Sequence, residues 1–309
     1  MPARLPAMNS FAWALLLTLS ILWGATFFFW KVLVEHLPPF TVVFGRVGIA
    51  ACALLLVLAM RGETLPMTRA AWTRFCIMAA LNNAIPFALI AYGETVIASG
   101  LAAILNATTP VFTVLVAHAL TDDEELTPLR AAGVGAGFVG VVVLVWPDML
   151  PGGLTGNLLG ELACLLASMA YALAGVYGRR FSGLPAITAA TGQLVAASLM
   201  ILPLVLFVDR PWQFPAPPMA TWASLVTTAV LCTAAGYPVY FRLLAVAGAT
   251  NLLLVTFLLP ISSLLLGALF LHEAITAPAL IGMALIGLGL AAIDGRLVPD
   301  FRRRSQVEL

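Results

Sequence analysis

Charge is what this sequence has least of. Only 9% of its 309 residues are Asp, Glu, Lys or Arg, against about 25% in a soluble domain, which excludes an ordinary soluble fold. Lysine occurs once, as Lys31, and it follows Trp30 rather than the glycine of a phosphate-binding loop, so an ATP-driven pump is excluded within this chain. The net charge is +1 and no basic stretch is interleaved with aromatics, so no nucleic-acid partner is expected. Cysteine appears as four single residues, Cys52, Cys76, Cys164 and Cys232, without metal-ligand or disulfide spacing, and these read as small buried hydrophobes. No pair of histidines occupies a zinc-binding register, and no serine and histidine come together at depth. An enzyme is therefore not expected, nor are a cofactor and a metal.

Apolar sequence fills the space that charge leaves. Hydrophobic residues make up 62%, and the mean hydropathy is +1.04. Cutting the chain at charged, proline-rich and turn-forming stretches gives ten apolar segments near 11–33, 39–60, 70–92, 97–119, 129–147, 157–178, 186–207, 219–241, 249–271 and 278–295. Each approaches the roughly 20 residues of a spanning helix, and in hydrocarbon such runs must satisfy their own backbone amides as helices. The first run lacks a small-residue cleavage site and reads as a retained span, not a signal peptide.

The connections carry Lys and Arg unevenly. Twelve, from Arg4 to Arg304, lie on the side of the amino terminus, and two, Lys31 and Arg210, lie on the other, which predicts both termini in the cytoplasm. The stretch 248–289 echoes 100–140. Pro110 precedes Glu124 by fourteen residues and Gly133 follows nine later, while Pro260 precedes Glu273 by thirteen and Gly282 again follows nine later. Trp23 and Lys31 are spaced as Tyr171 and Arg179 are, and Tyr92 and Gly100 as Tyr240 and Gly248. A repeat of five spans is odd, so its second copy enters the membrane from the opposite face. The expectation is an all-α polytopic membrane protein of ten transmembrane helices, built as two inverted five-helix repeats at 11–147 and 157–295, with a basic tail at 296–309. Such a build is common among secondary transporters, whose site lies near the midplane between the repeats.

At Trp23-Gly24-Ala25, at Arg46, at Pro110/Glu124/Gly133 and at Pro260/Glu273/Gly282, the sequence resembles the drug/metabolite transporter superfamily, in its ten-helix members with two EamA-type repeats. The resemblance covers about 11–295 and specifies the fold better than the substrate. It implies a bacterial inner-membrane exporter of amino acids or other small metabolites, with aromatic amino-acid exporters the nearest subgroup. It further implies a cavity lined chiefly by spans one, three, four, six, eight and nine. The superfamily's four-helix multidrug pumps rely on a glutamate in the first span, and this first span contains no acid.

Polar side chains inside spans are the site candidates, because each is costly in hydrocarbon and needs a partner or a use. Arg46, two turns into span two, is either an anchor for a substrate carboxylate or a structural arginine bonding carbonyls or reaching the outer interface; its repeat counterpart is the neutral Gln193. Asn82 and Asn83 lie just before Pro86, at a depth matched by Thr233, Gly236, Tyr237 and Pro238 in span eight. Asn106 and Asn251 lead the polar stretches of spans four and nine, where Pro110 and Pro260 are candidate hinges. Among the aromatics, Trp23, Phe27, Tyr171 and Tyr237 are deep enough to contact a ligand. Trp30, Tyr92 and Tyr177 fall near span ends, where a belt position is the simpler reading, and Tyr92 is retained as a ligand candidate. Glu124, Glu161 and Glu273 read as interfacial carboxylates, the first and last as caps of the following helix, and no deep acid stands out. Gly133 with Gly137, and Gly287 with Ala291, permit close helix contact, either within the bundle or in a dimer. The expected partners are a small-molecule substrate and the lipid bilayer, with the chain a monomer or homodimer. The substrate expected is a neutral or zwitterionic, partly apolar solute; the alternatives are export of drugs or other metabolites, or a receptor-like bundle.

Overall fold

A computed structural model describes residues 8–121, 126–149, 156–181, 183–252 and 254–294. Among these the chain is helical, without strands. Eight helices are long and apolar enough to cross a membrane: α1 Ser10–Val34, α2 Pro39–Met60, α3 Arg69–Glu94, α4 Ser99–Leu120, α5 Pro128–Met149, α6 Gly156–Phe181, α7 Ala186–Gln213 and α8 Met219–Gly248. Two shorter apolar helices follow, α9 Leu254–Phe270 and α10 Ala277–Ile293. These last two fall in the ninth and tenth expected segments, and helical residues at 249–252, beyond the kink at Gly248 (φ 77°, ψ 168°), precede α9. Eight helices of spanning length with two shorter apolar ones fit a polytopic membrane protein. Glu124 and the 296–309 tail lie outside the described residues.

Large apolar side chains such as Ile21, Leu56, Val139, Leu166, Phe207 and Leu269 face outward, as a hydrocarbon solvent allows. Inside, small residues let the helices approach closely. A Cβ on Gly133 would stand 2.5 Å from the Gly289 carbonyl oxygen, and one on Gly140 would stand 2.9 Å from that of Gly282. The seam of α5 against α10 is therefore internal to the bundle, and Gly287, paired with Ala291 in the sequence reading, faces Phe257 instead. Gly93 and Gly160 bring α3 against α6, and Gly24 brings α1 against Ser262 and Leu259 of α9. Ser20 and Ser168, at equivalent repeat positions, mark matching contacts: the Ser262 hydroxyl donates to the Ser20 carbonyl at 2.9 Å, and the Ser168 hydroxyl to the Leu105 carbonyl at 3.1 Å.

Helix amino termini carry orphan amides that need acceptors. Asn9 serves α1, its side chain accepting from the Ala12 amide at 2.8 Å. For α2 the acceptor is distant in sequence: the Asp209 carboxylate takes the Thr41 amide at 2.6 Å and its hydroxyl at 2.8 Å. Glu273 likewise takes the Ser99 amide at 2.9 Å and the Ser99 hydroxyl at 2.8 Å. It thus caps α4 of the other repeat, whereas the sequence reading assigned it to the following helix. That helix, α10, is capped by Thr276.

The two prolines expected to be equivalent hinges differ. α4 breaks at Ala107–Thr108 just ahead of Pro110, while α9 runs unbroken through Pro260. Matching irregularities appear elsewhere, as π-helical turns at Ala80–Ala84 in α3 and Thr228–Ala234 in α8. Each precedes a proline, Pro86 or Pro238, whose missing amide cannot close the regular ladder.

Candidate functional site

The two π-helical turns bring polar side chains to the middle of the bundle. Arg46 on α2 is 6% exposed and its Nε donates to the Thr233 hydroxyl at 2.9 Å. That hydroxyl in turn donates to the Thr228 carbonyl, a five-residue step that belongs to the π-helical turn. The guanidinium lies over two rings, its Cζ 4.9 Å from the centre of Trp30 and 4.2 Å from that of Phe87. Flat guanidinium on aromatic face is a favourable packing that a lysine cannot reproduce. Among the described residues Arg46 has no ion-pair partner and its two terminal nitrogens donate to no protein group. Its hydrogen bond goes to a side-chain hydroxyl and not to a helix carbonyl.

Gln193 on α7, the repeat counterpart of Arg46, joins the same region. Its carboxamide donates to the Tyr237 hydroxyl at 3.2 Å and accepts from the Asn82 amide at 3.3 Å. Asn83 is 1% exposed and neither amide atom has a partner of good geometry, although it faces the Tyr237 hydroxyl. Tyr171 on α6 and Tyr237 on α8 both lie within electrostatic reach of Arg46. Two rings, an unpaired guanidinium fork, three carboxamides and two phenols thus converge from α1, α2, α3, α6, α7 and α8.

The remaining candidates disperse. Trp23 stacks on Tyr240 with ring centres 5.7 Å apart. Phe27 is buried in the main apolar cluster. Asn106 sits at the α4 break with its side-chain oxygen buried and without a partner. Asn251 donates to the Ala247 carbonyl of its own helix. Tyr92 is 44% exposed at the end of α3, apart from the cluster. Trp30, read from its position near a span end as a belt residue, is 1% exposed and forms one wall around Arg46. Phe87 was not distinguishable from any other apolar residue of its span; its place beside Arg46 depends on how α3 packs on α2.

Two carboxylates are buried within the bundle. Glu94, which the sequence reading passed over, and Glu161, read as interfacial, are both fully buried. Cavities of about 80 and 40 Å³ lie between α4, α9 and α10, and neither is lined by a member of the Arg46 cluster.

Comparison with known proteins agrees with this architecture. The model of the EamA-like transporter family matches residues 10–146 and again 158–293. The uncharacterized transporter YoaV of Bacillus subtilis (strain 168) is 26% identical over 281 residues, covering 89% of this chain and 94% of its own. Protein PecM of Dickeya dadantii (strain 3937) is 26% identical over 292 residues, covering 93% and 92%. A solved crystal structure shares the fold with a TM-score of 0.65 at 20% identity, over 94% of this chain and 100% of the other.

Proposed function

The chain belongs to the EamA-like transporter family, and we propose that this multi-pass membrane transporter exports small neutral or zwitterionic metabolites, aromatic amino acids foremost, by alternating access. In this reading α1–α10 are ten spans in two inverted repeats, both termini face the cytoplasm, and the membrane is a bacterial inner membrane. The observation that carries the substrate class is Arg46. A buried guanidinium, stacked on Trp30 and Phe87 with both terminal nitrogens unused by the protein, suits a bidentate carboxylate. The rings beside it suit an apolar or aromatic side chain, and the carboxamides of Asn83 and Gln193 with the phenols of Tyr171 and Tyr237 suit a neutral polar remainder. Trp23, Phe27, Asn82 and Asn106 extend the pathway, and the break at Pro110 supplies a bend in α4.

Counterflow in proteoliposomes with labelled phenylalanine, labelled threonine and a cationic dye tests the reading. Phenylalanine moving faster than threonine is expected. Movement of the dye alone would overturn it in favour of drug export.

A further inference from the structure

Two carboxylates near the junction of α3 and α4 are treated in opposite ways. Glu273 is surrounded by donors, the Ser99 amide and hydroxyl at 2.9 and 2.8 Å and the Gly100 amide at 3.4 Å. Glu94, the last residue of α3, is 0% exposed, and neither of its carboxyl oxygens has a hydrogen-bond partner. Lys31, the nearest cation, spends its ammonium on backbone, donating to the Glu94 carbonyl at 2.7 Å and the Ile97 carbonyl at 2.9 Å. The titratable and charged groups around the Glu94 carboxyl are Lys31 on α1, Arg46 on α2, Glu273 after α9, and Cys164 on α6 with Glu161 beyond it; α4 offers Ser99. Glu161 is buried too, and its carboxyl oxygens likewise have no partner of good hydrogen-bond geometry, but it lies against Asp148, a second carboxyl that takes a hydrogen bond from Asn157 at 3.2 Å, away from Lys31.

An ionised carboxylate removed from water and given no donor is far more costly than the neutral acid. Glu273 shows what a structural carboxylate looks like at this end of the bundle, and Glu94 has none of those bonds. The closed bundle therefore holds Glu94 as the acid. The close approach that buries it is made of Gly93 and Gly160 with Cys164 between α3 and α6, and separating these helices would bring water to the carboxyl. The π-helical turn Ala80–Ala84 sets the Ile85–Glu94 part of α3 off from the rest of the helix, the kind of irregularity at which helices hinge.

Resting on the transporter reading above, we propose that Glu94 is a proton-carrying site that couples transport to a proton gradient. When this end of the bundle opens, the Glu94 O–H bond breaks, its electron pair stays on the carboxylate beside Lys31, and the proton passes to water. Reclosure requires a proton to be taken up again. Opening and deprotonation are thereby linked, and a pH difference across the membrane biases the cycle.

The test uses the full chain in phosphatidylethanolamine–phosphatidylglycerol vesicles, with Glu94→Gln and Glu161→Gln as variants; glutamine matches the shape of the neutral acid. Infrared spectra at neutral pH should show the carbonyl stretch of a protonated carboxylic acid in the wild type and in Glu161→Gln, and loss of that contribution in Glu94→Gln. An unchanged band in Glu94→Gln, or no band in the wild type, overturns the proposal. In the same vesicles, labelled phenylalanine is followed in equal-pH counterflow and under an imposed pH gradient. Glu94→Gln should keep counterflow and lose the response to the gradient, which a purely structural glutamate would not do; a retained response overturns the proposal. If the wild type moves no phenylalanine, the substrate reading of the preceding subsection fails, and the carboxyl band still decides this one.

Discussion

The Nε of Arg46 donates to the hydroxyl of Thr233 at 2.9 Å, tying the middle of α2 to the π-helical turn of α8. Through that one bond the only arginine placed inside a span by sequence is held by a residue 187 positions away, and its two terminal nitrogens stay available.

Arg46→Ala removes the carboxylate anchor. It is expected to lower phenylalanine counterflow at least tenfold, about 1.4 kcal/mol of lost binding. Arg46→Lys should fail to restore it, because a lysine ammonium presents neither the planar fork nor the stacking on Trp30 and Phe87. Counterflow initial rates check both, and a fully active Arg46→Lys would contradict the geometry.

Gln193→Leu deletes the acceptor of the Asn82 amide and the donor to the Tyr237 hydroxyl. Leaving a buried amide without its partner costs about 1–3 kcal/mol. A lowered thermal midpoint in detergent is expected, and Gln193→Glu, which keeps the acceptor, should recover part of it.

The α5–α10 seam predicts a sharp contrast between neighbouring glycines. Gly140→Leu would drive a side chain into the Gly282 carbonyl and Ile286, and is expected to abolish folded protein in the membrane. Gly135→Ala meets nothing within 4 Å and should stabilise α5 by up to about 1 kcal/mol through helix propensity. Yield and thermal midpoint of the two variants measure the difference.

Glu273→Ala strips the cap from α4. A loss of about 0.5–2 kcal/mol is expected, and Glu273→Gln should lose less because its oxygen still accepts from Ser99. Comparison of thermal midpoints checks it; equal values for all three proteins would deny the capping role.

Much of the architecture was legible because a bilayer leaves few choices. Long apolar runs had to be helices, and most of their ends fell within a few residues of those read from charge and proline, with α7 and α8 running six and seven residues further. The prolines at 86 and 238 also signalled weak points at matching depth, and the π-helical turns stand immediately before them. The site was less legible. Trp30 looked interfacial, Phe87 looked ordinary and Glu94 drew no notice, since burial and ring orientation depend on how helices rotate against one another.

Pro110 and Pro260 return the same lesson from the opposite side. Their spacing made them appear interchangeable, yet only α4 breaks. Composition and hydrophobic run length by themselves determined that this chain is a helical membrane protein with a repeated pattern, because the cost of unpaired backbone in hydrocarbon depends on local sequence alone. Only the tertiary packing decided which side chains share a site, that Arg46 keeps a free fork, and that Glu94 lies sealed beside Lys31 while Glu273 caps a helix of the other repeat. Those outcomes depend on close contacts between distant helices, where a glycine at Gly93 or Gly133 sets the approach that no single segment encodes.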